Sequence, residues 1–141
     1  MKWTLIIILS LTSFLRLQAQ QFTIKGQLYL STPKSSKSSQ SISYNGIPLE
    51  VYVHEITSTA EVDIVDGIIT KIYTPVVDRF FSKWDGSFKT RLPAGKYSVF
   101  VRYNDGFYGN LRDAADNLSP VILGNNKTEW ITITINYSSP R

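Results

Sequence analysis

Apolar and polar residues alternate with period two in five stretches of the chain. Phe22, Ile24, Leu28 and Leu30 form one apolar face, with Thr23, Lys25 and Gln27 pointing the other way. Ile47, Leu49, Val51 and Val53 repeat the pattern against Glu50, Tyr52 and His54. A short run with Phe88 and Leu92 follows, then Tyr97, Val99, Val101 and Tyr103 against Ser98, Phe100 and Arg102. Ile131, Ile133, Ile135 and Tyr137 close the series, opposite Thr132, Thr134 and Asn136. Strict alternation is the mark of a strand with one buried face. Gly26, inside the first run, predicts a bulge or a close backbone approach.

Turn signals separate these runs. Asp66-Gly67 lies between Val62–Val65 and Ile68–Tyr73, and predicts a hairpin. Pro75 then marks a strand end or a sheet edge. Asp85-Gly86 predicts a second tight turn and Pro93-Ala94-Gly95 a third, with Gly86 and Gly95 expected at positive φ. Ser31 to Ser43 is rich in Ser and Lys and is expected to be a mobile loop. Leu111 to Asn117 alone has helix-forming composition, enough for one helical turn at most. No long amphipathic helix is present, so bundles and doubly wound folds are excluded. Strands at short spacing predict an all-β Greek-key sandwich of about seven strands.

Within this pattern lie motifs that resemble a known family. Phe22-Thr23-Ile24-Lys25-Gly26-Gln27-Leu28 is similar to the opening strand of carboxypeptidase regulatory-like domains, a branch of the transthyretin-like (prealbumin-like) β-sandwiches. Gly46-Ile47-Pro48-Leu49-Glu50-Val51-Tyr52-Val53 resembles their next strand. Asp85-Gly86-Ser87-Phe88 and Leu92-Pro93-Ala94-Gly95-Lys96-Tyr97-Ser98-Val99-Phe100-Val101 resemble their turn and following hairpin. Lys83-Trp84 stands where the family usually has Thr-Asp, and the insert between His54 and Asp85 is longer than the family norm. The resemblance implies a transthyretin-like fold and an accessory, adhesive or structural role without chemistry of its own.

Length and composition set the remaining bounds. The 141 residues, 43% of them hydrophobic, suffice for one domain and one core. Residues 1–19 read as a signal peptide. Lys2 supplies the positive start, Trp3 to Leu15 is an apolar run too short to span a bilayer, and Ala19 suits the position before the cut. An uncleaved apolar anchor is the alternative. The mature domain is then 20–141. Loss of Lys2 and Arg16 with the leader leaves 13 basic against 11 acidic residues, too small an excess for a nucleic-acid footprint. With no cysteine, thiol catalysis, Cys-bound zinc and a cysteine lipid anchor are excluded, and the domain must hold together by its core. Leader and composition together resemble small exported proteins of the Bacteroidetes type.

Candidate chemistry is sparse. His54 is the only histidine, expected on the exposed strand face, and no nucleophile motif accompanies it. One histidine also fails the two-His, two-Tyr iron site of the intradiol dioxygenases, and the C-terminus lacks the tail of hydroxyisourate hydrolases. Asp105, Asp113 and Asp116 form a weak Ca²⁺ candidate loop, although these residue types equally suit turns. No catalytic set, cofactor or other metal site is expected. The main functional signal is aromatic. Trp84 at a turn, Phe107 and Tyr108 in the Gly106–Gly109 loop, and Trp130 at the start of the last strand fall outside the core faces. Rings so placed stack on sugars or fill a partner's pocket. The expectation is a non-catalytic exported module, protein-binding or structural in the cell envelope. Its partner is an envelope or extracellular protein. The alternative is a carbohydrate-binding module that takes a polysaccharide.

Overall fold

A computed structural model describes residues 20–36 and 39–136, with side chains left undescribed over 33–44. The expected leader and its cut after Ala19 lie outside the described residues, as does Tyr137 of the last apolar face. What is described is an all-β sandwich of two sheets, of four and seven strands. There are more strands than about seven because short hairpin arms extend the second sheet.

The first sheet is built around β1 (Gln21–Ser36). One side of β1 pairs in parallel with β11 (Thr128–Asn136). Its other side pairs first with β7 (Ser87–Pro93) and then with β2 (Ser39–Gly46), both antiparallel. The described residues of the Ser/Lys-rich stretch expected as a loop, 31–36 and 39–43, are therefore the far arm of the β1–β2 ribbon. With no apolar face, such a ribbon leaves no period to detect.

The second sheet centres on β3 (Glu50–Glu55) and β8 (Gly95–Tyr103), paired antiparallel with Val51 opposite Val101 and Val53 opposite Val99. β6 (Val76–Phe81) adds to β3 and forms one edge. On its far side β8 meets β9 (Gly106–Gly109) and β10 (Pro120–Leu123). The hairpin of β4 (Val62–Val65) and β5 (Ile68–Ile72) continues from β9. Its turn is Asp66-Gly67 as predicted, with φ of 53° and 80°.

The apolar faces found in the sequence meet between the sheets. Ile24, Leu28, Phe88, Ile131 and Ile133 from the first pack against Val51, Val53, Val99 and Val101 from the second. A smaller cluster sits on the opposite face of the second sheet: Tyr52, Val62, Phe100 and Leu118, flanked by Ile69, Ile72 and Phe107. The β4–β5 arm and the loop ending at Leu118 cover that face, so the centre of β3 and β8 is buried on both sides. Burying a side chain the size of Phe100, which is fully enclosed, is worth roughly 1.5–3 kcal/mol.

Glycine positions show which backbone constraints are real. Gly86 has φ 84°, as its turn requires. Gly95 does not have positive φ; the Tyr97 ring lies 3.2–3.4 Å from where a Cβ would stand, so steric approach selects glycine there. The Leu111–Asn117 segment forms no helix. Asp113 accepts hydrogen bonds from the amides of Ala115 and Asn117, both at 2.9 Å, and this Asx bonding competes with helix formation. Among the described residues a single 3₁₀ turn occurs, at Thr59–Glu61.

Candidate functional site

The four predicted aromatic positions do not come together. Phe107 and Tyr108 are on strand β9 rather than in a loop, because Asn104 and Asp105, both at positive φ, turn β8 directly into β9. Asn-Asp-Gly was a usable hairpin signal at this point. Phe107 is half-buried edge-on against Tyr52, with ring centroids 5.3 Å apart, and Tyr108 packs on Tyr103 and the main core. Both rings are thus packing residues. Trp84, 82% exposed, stands alone on the β6–β7 turn. Trp130, 73% exposed, lines a cleft.

That cleft, of about 450 Å³, is lined by Lys25, Gln27, Phe81, Lys83, Lys89 and Trp130, with Gly26, Phe80 and Phe88 beneath them. Strand register explains the grouping. Lys89 on β7, Lys25 on β1 and Trp130 on β11 are direct cross-strand partners, a row across the outer face of the first sheet. Adjacent strands lie about 4.8 Å apart, so the row spans roughly 10 Å. Phe81 reaches the cleft from the end of β6, the edge of the other sheet, and is 72% exposed. The Lys25 Nζ lies 5.3 Å from the centroid of the Trp130 ring. None of Lys25, Lys83 and Lys89 forms an ion pair among the described residues, and the cleft lining holds no carboxylate. Asp85, two residues from Lys83, feels its charge. Its carboxylate already accepts from the Ser87 hydroxyl (2.6 Å) and amide (3.0 Å), bonds that hold its pKa below the usual range.

A second depression of about 330 Å³ lies on the other side of Trp130, lined by Asp113, Pro120, Val121, Ile122, Asn125 and Glu129. The weak Ca²⁺ candidates do not converge there or elsewhere. Asp105 is in the β8–β9 turn. Asp116 sits 3.9 Å from Arg112, and Asp113 is bonded to Asn117 and the local backbone. Those bonds to Asn117 lower the Asp113 pKa. No group of three potential metal-ligating side chains occurs among the described residues.

His54 is not exposed as the strand pattern suggested. It is 3% accessible, packed beside Tyr52 and Phe100, with Thr74 bonded to its ring. The long insert after His54 supplies this cover, and period two cannot reveal it. The Nδ1–H donates to the Thr74 carbonyl at 2.9 Å, and Nε2 has no partner. Burial pushes the imidazole pKa down. The ring is a neutral packing group, far from the cationic cleft in its surroundings.

Searches against protein families, curated proteins and solved structures return no match to this chain. The site must be read from its own residues. Sequence reasoning had found Trp130 but missed Phe81, Lys25, Lys83 and Lys89, which look like ordinary strand and turn residues until the register puts them beside it.

Proposed function

We propose that this chain is a non-catalytic, exported β-sandwich module that binds a component of the cell envelope through the Trp130 cleft. The observation that carries this reading is the convergence of two large exposed rings and three lysines that form no ion pair among the described residues on one concave surface. Exposed aromatic anchors beside cations suit recognition. The same lining holds no carboxylate and no imidazole, which favours binding over turnover as the reading of the cleft. The resemblance to carboxypeptidase regulatory-like domains favours the same accessory role, and the signal-peptide-like leader favours export. Of the two expectations for the ligand, a polysaccharide is favoured over a protein or a purely structural contact, since the exposed Trp130 ring stands in a row with two lysines across the strands of the first sheet.

The test is differential capture. Immobilised protein and its Phe81→Ala/Trp130→Ala variant would be exposed to envelope fractions of the source cells, with both protein and polysaccharide analysed. A component held by the parent and released by the variant is the expected result. Identical retention by the two would remove the cleft as the binding face.

A further inference from the structure

The ligand class can be narrowed further, on the reading that the Trp130 cleft is the binding site. We propose that it takes an acidic polysaccharide, a sugar chain bearing uronate carboxylates or sulfate esters. Charge complementarity is the first ground. Lys25, Lys83 and Lys89 line the cleft and form no ion pair among the described residues, with only Lys83 in the field of a carboxylate, that of Asp85, and no acid lines the cleft itself. Lysine ammonium groups are strongly hydrated point charges that suit carboxylate and sulfate oxygens alike.

The rings give the second ground. The weakly positive C–H face of a sugar packs on the negative face of an aromatic ring. Trp130 has Lys25 over its ring at 5.3 Å yet stays 73% exposed, which leaves ring surface open for stacking. The Lys89–Lys25–Trp130 row sets cation, cation and ring at strand spacing, about 4.8 Å per step. A sugar chain laid across the strands meets the ring with one residue and the ammonium groups with the next ones.

The third ground separates a glycan from an acidic peptide. Lys89, Lys25 and Trp130 run across β7, β1 and β11, from one strand to the next. A peptide that gains main-chain hydrogen bonds from this sheet lies along the open edge of β7 or β11 and does not cross the row. Three lysines are also too few for nucleic acid, which needs a broad basic stripe.

The experiment is a titration of the purified protein with matched pairs of polymers. Polygalacturonate is set against its fully methyl-esterified form, and dextran sulfate against dextran; polyglutamate serves as a charge control. Binding to at least one acidic polysaccharide, about tenfold or more weaker for its uncharged counterpart, is expected. Lys25→Met/Lys89→Met should weaken it by a factor of three to ten, on the order of two exposed charge contacts. Binding should fade near 1 M salt, where the screening length is about 3 Å. Thermal melts of the variants report whether they fold.

Equal affinity for the charged and uncharged members of a pair overturns the acidic assignment. Equal affinity for polyglutamate overturns the sugar assignment. No binding to any polysaccharide, while the envelope component is still lost with Phe81→Ala/Trp130→Ala, overturns this ligand class and leaves the cleft as a binding face. No polysaccharide binding together with identical envelope retention removes both.

Discussion

His54 shows how much one side chain's surroundings change its meaning. The Thr74 carbonyl can only accept, so the ring proton must be on Nδ1. The Thr74 hydroxyl also contacts the Thr57 hydroxyl at 2.7 Å, and Thr57 donates to the Glu55 carbonyl at 2.7 Å. This polar chain closes without using Nε2. Protonating Nε2 would place a charged N–H in a buried site with no acceptor, and burial accordingly lowers the pKa below 6.5. Above pH 6.5 the folded and unfolded forms are both neutral at this residue. As pH falls below that value the unfolded chain takes up the proton first, so stability drops. The expected outcome is a melting temperature that begins to decline as pH falls through about 6.5, above the range in which Asp and Glu ordinarily titrate. His54→Phe keeps a ring beside Tyr52 and Phe100 and should flatten that decline. It should also cost about 1–2 kcal/mol at pH 7 through the lost bond to Thr74. A variant with the same pH slope as the parent would show that another group titrates. The carboxylates act lower. Glu50, held down chiefly by its bond to Arg79, together with Asp85 and Asp113, loses its contribution only as pH falls into the acid range.

At the scale of strands, Gly26 is the instructive position. It was legible as a place where something comes close, but the sequence could not say what. The β1–β7 register runs unbroken from Gln21 to Gln27, so there is no bulge. Instead the ring of Phe88, the cross-strand partner, lies over the glycine, with its Cζ 1.9 Å from where a Cβ would be. Phe88 in turn leans on Phe80, at 5.8 Å between centroids, which ties the edge of one sheet to the other. Gly26→Ala therefore forces the ring out of its place and should destabilise the fold by about 1–3 kcal/mol. Shortening the ring relieves the clash, so Gly26→Ala/Phe88→Leu should lose less than the two single changes together, measured as non-additivity in a denaturant cycle. Strictly additive losses would mean the ring is not what glycine accommodates. The same scale explains the misplaced faces. Alternation in β3 and β8 correctly separated Val from Tyr, His and Phe, but both faces are covered. Which faces meet water depends on the β4–β5 arm, whose own sequence announces only a hairpin.

For the whole molecule, the sandwich and its main core were readable because each apolar face was written locally, strand by strand. The candidate site was not, because it is assembled from the two ends of the chain and its middle. β1 and β11 become neighbours only through the parallel pairing of residues more than a hundred positions apart, and that pairing alone sets Lys25 beside Trp130. Residue type singled out Trp84 and Trp130 equally, and the fold separates them. Trp84 is a lone ring on a turn; Trp130 walls a cleft that also holds Phe81 and three lysines. Both are more than two-thirds exposed, so truncating either should change stability by no more than about 0.5 kcal/mol. Their effects on binding should differ. Trp130→Ala is expected to abolish measurable titration with the acidic polysaccharide that the parent binds, while Trp84→Ala leaves the affinity within a factor of two, less than about 0.5 kcal/mol. Paired thermal melts and titrations of the two variants decide the matter. Loss of binding in Trp84→Ala with retention in Trp130→Ala would move the recognition surface to the β6–β7 turn, because the cleft is lined by Trp130 and by Lys83 of that turn but not by the Trp84 ring.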